Sequence, residues 1–298
     1  MKVHGCNCSI AIKTIHGGMD VPYSKETIRE AISLLQEEAA IVGNGMCRAI
    51  QKRCGVTGCI VTPLTIGTAP LLLYLAMGSI GSPAFVSGTR DLYLYKLKLL
   101  PLEDSESFNL IQERAGIMSN EQLTVSNERR LFESCRVKGF ELRIVRDEAI
   151  KLKLDICGER SPAVYPYADT FARETGERFS GENVAYRING EEYTNIYGLT
   201  LATKKEGGTK TELWIRRVLD NGFEPPEIID DMTITVKLLR DKFESRHFGT
   251  FRISVKRLVL AADETSINSV DTVIGSLRYY SAGTVTAEVF CSGEEALQ

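Results

Sequence analysis

Apolar and polar residues alternate at every second position along much of this chain, and this feature most constrains its fold. The alternation is clearest in residues 140–156, where Leu142 and Leu154 lie in apolar positions between charged residues. A strand with one buried and one exposed face has this period of two, whereas a helix repeats its apolar residues every three or four positions. Asp147 and Glu148 separate two such runs, so the sequence predicts an antiparallel hairpin over these residues.

The same pattern continues through the second half of the chain. Turn-forming residues at 206–208 and a break near Gly283 separate further alternating runs. Those runs lie at 196–201, 209–218, 233–239, 250–260 and 277–290. No long helix is expected after about residue 80, and the predicted fold class is mainly β.

Two of the hairpins share a common spacing, which indicates an internal duplication. Leu142 and Leu154 follow Gly139 at the same intervals at which Leu201 and Leu213 follow Gly198. The sequence therefore predicts two tandem related β-sandwich or barrel modules. The expected division is an N-terminal region at 1–55, a first module at 56–160 and a second module at 161–298.

Short helices are expected only near the N-terminus and at about 69–77. Ser24 is a good N-cap, and Ile28, Ile32 and Leu35 repeat at helical spacing, so the first helix is predicted at 24–38. The glycine-rich segment 40–53 that follows is predicted to be a long loop or arm. A simple surface loop explains its composition equally well.

Composition excludes several classes of protein. Thirty-six Lys and Arg against thirty-nine Asp and Glu give a net charge of −3, so no basic excess indicates tight binding to nucleic acid or an anionic membrane. Eight cysteines without a C-x-x-C pair, and three histidines, do not form a standard zinc motif, and they favour a reducing compartment. The N-terminus does not resemble a secretory signal. The charge-free stretch 54–89 has only a short unbroken apolar run, and a buried strand, turn and short helix are expected there, not a membrane span.

No catalytic constellation is recognisable. The run at 207–211 lacks the order of a P-loop, and its glycines are those of a hairpin turn. His247, with Asp241 and Glu244 nearby, is more typical of a polar connection between strands than of an acid–base site. The adjacent carboxylates at 37–38 and 230–231 point in different directions. The sequence therefore identifies no catalytic, cofactor-binding or metal-binding residues, and it predicts that the chain is not an enzyme.

Several segments, in their order along the chain, resemble the tail tube proteins of tailed bacteriophages in their form of roughly 300 residues. Gly58, Ile60, Pro63 and Leu64 resemble the G-x-I-x-x-P-L strand of that family. Ser134 stands where glycine is commoner in the family. The other resembling segments are the short helix at 70–78, the strand at 92–97, the S-F-x-L segment at 107–110, the hairpin entry at 131–137 and the strand closing with glycine at 154–158.

This resemblance implies a virion structural protein, the major tail tube subunit. Such proteins form rings in which the sheets of neighbouring subunits join, and the rings stack into a channel for genome ejection. Two tube modules in one chain imply a trimeric, pseudo-sixfold ring, whereas a single module implies a hexamer. The implied partners are other tail proteins (tape measure, terminator, baseplate or sheath), with DNA as a transient passenger and no membrane or cofactor. The implied location is the virion tail, with the host cytoplasm during assembly.

Three alternatives remain. Another tail component, such as a tail terminator, has similar features. A soluble β-sandwich or barrel that binds a carbohydrate or lipid predicts a concave aromatic cluster and a stable monomer, but Trp214 is the single tryptophan. An enzyme that uses a cysteine or His247 predicts an activity that one substitution removes.

Overall fold

The alternating runs form strands in the computed structural model of the chain, and the predicted mainly β fold is confirmed. The structure describes residues 8–14, 17–36, 49–87, 92–117, 125–158, 163–164, 171–173, 176–219, 223–237, 251–269 and 272–292.

Twenty strands and one α-helix make up the described part. The first ten strands are β1 (Cys8–Thr14), β2 (Gly17–Asp20), β3 (Lys25–Glu26), β4 (Arg29–Gln36), β5 (Ala49–Pro63), β6 (Ala84–Phe85), β7 (Leu92–Lys98), β8 (Phe108–Ile117), β9 (Val125–Val145) and β10 (Lys151–Gly158). The others are β11 (Ala163–Val164), β12 (Ala172–Arg173), β13 (Val184–Ile188), β14 (Glu191–Tyr193), β15 (Ile196–Lys204), β16 (Lys210–Val218), β17 (Ile228–Val236), β18 (Phe251–Ser269), β19 (Thr272–Ser281) and β20 (Val285–Ser292). Helix α1 is Thr68–Met77, and a 3-10 turn covers Gly181–Asn183.

The chain divides into two compact units that do not follow its linear order. The first contains residues 1–60, 107–136 and 155–173, and the second contains 61–106, 137–154 and 174–298. Strands β5, β9 and β10 therefore contribute residues to both units. The linear modules predicted from the sequence remain a proposal.

In the first unit, antiparallel ladders connect most of the strands. Strand β1 lies between β2 and β8, and β8 continues the sheet to the first part of β9. The short strand β12 is parallel to β2, and β11 pairs with β9. Strand β4 pairs along its length with β5.

In the second unit, two runs of antiparallel strands share β18. One run is β9–β15–β16–β19–β18, and it uses the C-terminal part of β18. The other is β14–β13–β17–β18–β20–β7–β6, and it uses the N-terminal part of β18. Arg257 has φ +57° in β18 between these two parts, and the register with β19 shifts between Leu260 and Ala262. A bulge of this kind bends a strand, which lets β18 serve both runs.

The core consists of the residues that the alternation placed in apolar positions. Leu142, Ile144, Leu152 and Leu154 are all 0% exposed, whereas Lys151 and Arg143 of the same hairpin lie on the other face. The predicted β9–β10 hairpin is confirmed, with Asp147 in its turn at φ +67°. The predicted hairpin formed by β15 and β16 is confirmed in the same way.

The two similar hairpins pair with each other through their first strands. Leu142 of β9 lies directly opposite Leu201 of β15, and these are the equivalent positions of the predicted repeat. Because the ladder is antiparallel, a local two-fold axis passes between the two leucines. One chain therefore already joins two similar hairpins edge to edge.

Helix α1 forms where the sequence predicted it. Thr65 precedes it, and the Thr68 N–H donates to Thr65 Oγ1 at 3.2 Å while the Thr65 N–H donates to Thr68 Oγ1 at 3.2 Å. The helix ends at Gly78, whose φ of +92° is a left-handed conformation that glycine adopts without strain. Most of its residues are buried, as its apolar composition requires.

The predicted N-terminal helix is wrong: residues 25–26 and 29–36 form β3 and β4. Glu26 accepts a hydrogen bond from the Ile28 backbone N–H, and the Thr27 N–H donates to the Cys59 carbonyl at 3.0 Å. Hydrogen bonds to β5 thus satisfy backbone groups that a helix would satisfy locally. These tertiary contacts override the helical propensity of a segment rich in alanine, leucine and glutamate. The ladder with β5 shifts register between Ser33 and Leu34, and this shift breaks the simple period of two.

The predicted arm at 40–53 lies partly outside the described residues. Its last part, 49–53, belongs to β5 and pairs with β4, so the prediction of a loop is wrong there. Residues 40–48 are not described.

Ser134 occupies a backbone conformation that suits glycine. Its φ is +53°, in β9 beside the register shift between Phe108 and Leu110, and its N–H donates to Asn109 Oδ1 at 3.2 Å. A residue with a Cβ pays about 1–2 kcal/mol in the left-handed region. We expect Ser134→Gly to raise the free energy of unfolding by about 1 kcal/mol, measured by urea denaturation. The neighbouring residue Glu133 has no positive φ, so the control substitution Glu133→Gly should lower the free energy of unfolding. A Ser134→Gly variant that is less stable than the unchanged protein would contradict this explanation.

Candidate functional site

An extended polar surface covers one side of the β9–β15–β16–β19 sheet in the second unit. Register places Arg143 opposite Thr200, Thr200 opposite Trp214, and Trp214 opposite Arg278. Directly opposed residues in antiparallel strands point to the same side of a sheet. Trp214 therefore lies on the polar face, as its position in the alternation of apolar and polar residues predicted.

Basic residues predominate on this surface, which we call the basic face. Its strands carry four carboxylates, Glu141, Asp155, Glu212 and Glu264, and Glu206 lies in the turn between Lys204 and Lys210. Glu148 in the neighbouring turn lies 3.5 Å from Lys151 Nζ and 3.7 Å from an Arg143 guanidinium nitrogen. The basic members are Arg143, Lys151, Lys153, Lys204, Lys210, Arg216 and Arg278. Basic residues therefore outnumber the carboxylates of these strands by seven to four, on a chain whose formal net charge is −3.

An ordered stack stands at the centre of the basic face. The Arg278 guanidinium carbon lies 4.4 Å from the ring centroid of Trp214 and 4.7 Å from that of Tyr280. Arg278 Nε lies 2.6 Å from Glu212 Oε1, which also accepts a hydrogen bond from Trp214 Nε1. Cation–π contacts and a charged hydrogen bond fix these side chains before any partner binds.

Next to the stack, a strip of apolar side chains faces solvent. Tyr280 is 43% exposed, and register places it opposite Val259, which lies opposite Ile228. Val259 and Ile228 are 55% and 54% exposed. Sequence analysis missed this strip because β18 changes phase at Arg257, so that Leu258 is buried and Val259 is not.

Carboxylates surround the far end of the strip, at strands β13, β14 and β17. We call this group the acidic edge; its members are Glu191, Glu192, Glu224, Glu227, Asp230 and Asp231, all exposed. Asn189 Oδ1 accepts hydrogen bonds from the backbone N–H groups of Asp230 and Asp231, which holds the β13–β14 turn against β17. Arg187 lies 3.6 Å from Glu192, and the ladder places Lys256 of β18 opposite Asp231, so two of these carboxylates lie beside a cation.

In the first unit, β4 presents a sheet edge. Its residues pair with β5 from Arg29 to Gln36, and no other described strand forms a residue-by-residue ladder with it. Among the described strands, its outward backbone N–H and C=O groups therefore have no ladder partner. An edge of this length is a template for β-pairing with a second chain.

A small pocket of about 240 Å³ lies beside β13 in the second unit. Arg146, Glu182, Tyr186 and Glu192 are among its lining residues, and an Arg146 guanidinium N–H donates to the Thr194 carbonyl at 2.8 Å. Burial raises the pKa of Tyr186 well above its usual range, so this hydroxyl stays protonated. The pocket is smaller than most ligand sites and is not a concave aromatic cluster.

The candidate chemical groups weighed in the sequence fall in different places. His247, Asp241, Glu244 and the 37–38 carboxylates lie outside the described residues, and Asp230 and Asp231 are exposed members of the acidic edge. Gly207 and Gly208 have φ of +70° and +104°, which confirms their role in a hairpin turn. In the described part of the chain, no group of three or more His, Cys, Asp or Glu side chains is placed to hold a metal ion. No described helix is long and apolar enough to cross a membrane.

Two buried thiols are held in their neutral form. Burial raises the pKa of Cys135 to about 12, with a further increase from the nearby Cys157, and burial raises the pKa of Cys291 to about 12. Because the thiolate is the reactive species, neither residue is suited to nucleophilic chemistry at neutral pH.

Comparison with known proteins does not assign the chain to a family. The sequence matches no protein-family model, and it has no significant match among curated proteins.

Proposed function

We propose that the protein is a structural subunit that assembles with copies of itself by joining sheets, as the tail tube protein of a tailed bacteriophage does. The observation that carries this proposal is the open edge of β4, a strand of eight residues with a ladder to β5 only among the described strands. Exposed edges of this kind are usually shortened, charged or covered in monomeric proteins.

The internal join between β9 and β15 supports the same proposal. Two hairpins of one chain meet edge to edge through seven consecutive register pairs, from Gly198 with Val145 to Lys204 with Gly139. Sheet extension by addition of hairpins is therefore already part of this fold. In the proposed assembly, the same kind of join occurs between subunits, in rings of three or six chains that stack into a tube.

The side chains of the described surface also fit a structural role. Several polar groups on the basic face pair with one another, as Lys153 does with Glu141 and Arg278 with Glu212, whereas Lys210 and Arg216 are exposed without an ion pair to a described residue. Such a surface suits contact with another protein. In this proposal other tail proteins bind the ends of the tube, and DNA passes through it without lasting contact.

Negative-stain electron microscopy of the purified full chain tests the proposal. At high protein concentration we expect rings with a central hole, or tubes made of stacked rings. The same sample diluted over several orders of magnitude should dissociate, because assembly follows mass action. A compact monomer at every concentration would overturn the proposal and favour a soluble β-module instead.

A further inference from the structure

The basic face and the acidic edge of the second unit carry opposite charge, and the apolar strip lies between them. We propose that the basic face of one copy binds the acidic edge of the next copy, in a head-to-tail contact. This inference rests on the proposed self-assembly and names the surfaces that make the contact.

The basic face retains positive charge that the subunit itself does not neutralise. Lys210 and Arg216 are exposed on β16, and neither forms an ion pair with a described residue. Lys204, on the neighbouring strand, lies opposite Lys210 in the ladder. Glu206 in the turn lies 3.8 Å from Lys204 and pairs with that lysine, so Lys210 and Arg216 are the cations that a carboxylate from another molecule would pair with.

The acidic edge, in turn, has carboxylates that the described part of the subunit does not pair with cations. Glu224, Glu227 and Asp230 are exposed and form no ion pair with a described residue. Asp230 follows Ile228 by two positions on β17, so its side chain lies on the same side of the strand as the apolar strip. Carboxylates and exposed apolar groups thus lie together at this end, a combination typical of a protein interface with an apolar centre and a charged rim.

The twist of the sheet decides between a face-to-face pair and a head-to-tail contact. Five successive strand pairings connect β9 to β17, through β15, β16, β19 and β18. Each step rotates the strand direction by about 20–25°, so the two ends differ in orientation by roughly a right angle. One flat partner surface cannot engage both ends together. When the basic face of one copy binds the acidic edge of a second copy, the acidic edge of the first and the basic face of the second stay free for further copies. Such heterologous contacts close into rings or extend into filaments.

Charge reversal at exposed positions of each end tests the contact in the full-length chain. One variant carries Lys210→Glu and Arg216→Glu on the basic face, and the other carries Glu227→Lys and Asp230→Lys on the acidic edge. The matched controls carry Lys96→Glu with Lys98→Glu, and Glu103→Lys with Asp104→Lys; all four positions are exposed and lie outside both surfaces. Assembly is measured by light scattering and sedimentation velocity at about 0.1 M salt, and circular dichroism verifies that each variant is folded.

Each interface variant alone should raise the concentration needed for half-assembly at least tenfold, whereas the controls should shift it less than threefold. A single chain that carries all four reversals should restore assembly to within about threefold of the unchanged protein. In this fourfold variant every contact again joins opposite charges, whatever the number of chains in the assembly, since the reversed basic face meets the reversed acidic edge.

The outcomes separate this inference from the proposal on which it rests. Interface variants that assemble like their controls, or a folded fourfold variant that fails to restore assembly, would overturn the head-to-tail contact and leave self-assembly intact. If the unchanged protein does not assemble at any concentration, the proposed function fails, and this contact fails with it.

Discussion

Leu154→Asp is expected to abolish folding of the protein. Leu154 is 0% exposed in β10, on the buried side of the β9–β10 hairpin. The substitution removes an apolar side chain worth about 2–5 kcal/mol in a core and places a carboxylate where it has no cation to pair with. An uncompensated buried charge costs about 3–5 kcal/mol more, so the sum is similar to the whole stability of an ordinary domain. Circular dichroism and the soluble yield of the purified variant measure the effect.

Two further variants make this result specific. Lys153→Asp introduces the same side chain one position earlier on the polar face, where Lys153 Nζ lies 4.0 Å from Glu141, and should cost less than about 1 kcal/mol. Leu154→Ala should fold with a free energy of unfolding lower by about 2–5 kcal/mol, which gives a measurable value if the aspartate variant is insoluble. A soluble Leu154→Asp variant with an unchanged thermal midpoint would show that the assigned buried face is wrong.

The second large effect is expected at Lys205, a lysine that is 0% exposed. Its Nζ donates to Ser105 Oγ at 2.9 Å and to the Met77 carbonyl at 3.4 Å, at the C-terminal end of α1. A cation is favourable there because the last carbonyls of a helix carry partial negative charge. Ser105 Oγ in turn donates to the Pro101 carbonyl at 2.8 Å, so Lys205, which follows β15, connects the end of the helix to the turn between β7 and β8.

Lys205→Ala should therefore lower the free energy of unfolding by about 3 kcal/mol, since it leaves buried acceptors without a donor and opens a cavity. Urea denaturation measures the change. Lys204→Ala is the matched control, because the Lys204 side chain is 70% exposed and its nearest ion pair, to Glu206, is long at 3.8 Å. Lys205→Met keeps most of the side-chain volume without the donors, and it separates the packing contribution from the hydrogen bonds. Equal stabilities of Lys205→Ala and Lys204→Ala would contradict this role.

Alternation predicted the strands whose pairing is local. The β9–β10 and β15–β16 hairpins, and the buried leucines within them, follow from the sequence because each strand meets a partner a few residues away. Helix α1 was equally predictable, since an apolar run ending in Gly78 has local signals at its end. In contrast, β4 forms by pairing with β5, which lies further along the chain. The helical spacing of Ile28, Ile32 and Leu35 contains no information about this pairing.

The candidate surfaces could be predicted only in part. Trp214 was correctly placed on a polar face, but the Trp214–Arg278 contact joins strands that are not adjacent along the chain. The exposure of Val259 depends on the positive φ of Arg257, which has no sequence signal comparable to a glycine. The basic face collects residues from five strands, and a net charge near zero conceals the separation of charge between surfaces.

Hydrogen–deuterium exchange along β4 tests most directly whether sheets join between copies of the chain. In dilute protein, the amides of Arg29–Gln36 that point away from β5 have no described β-strand partner and should exchange rapidly. At assembling concentrations, pairing with a neighbouring subunit should slow these amides at least tenfold, while buried strands such as β10 exchange slowly in both samples. Equally rapid exchange of the outward amides of β4 in dilute and concentrated protein would contradict the account.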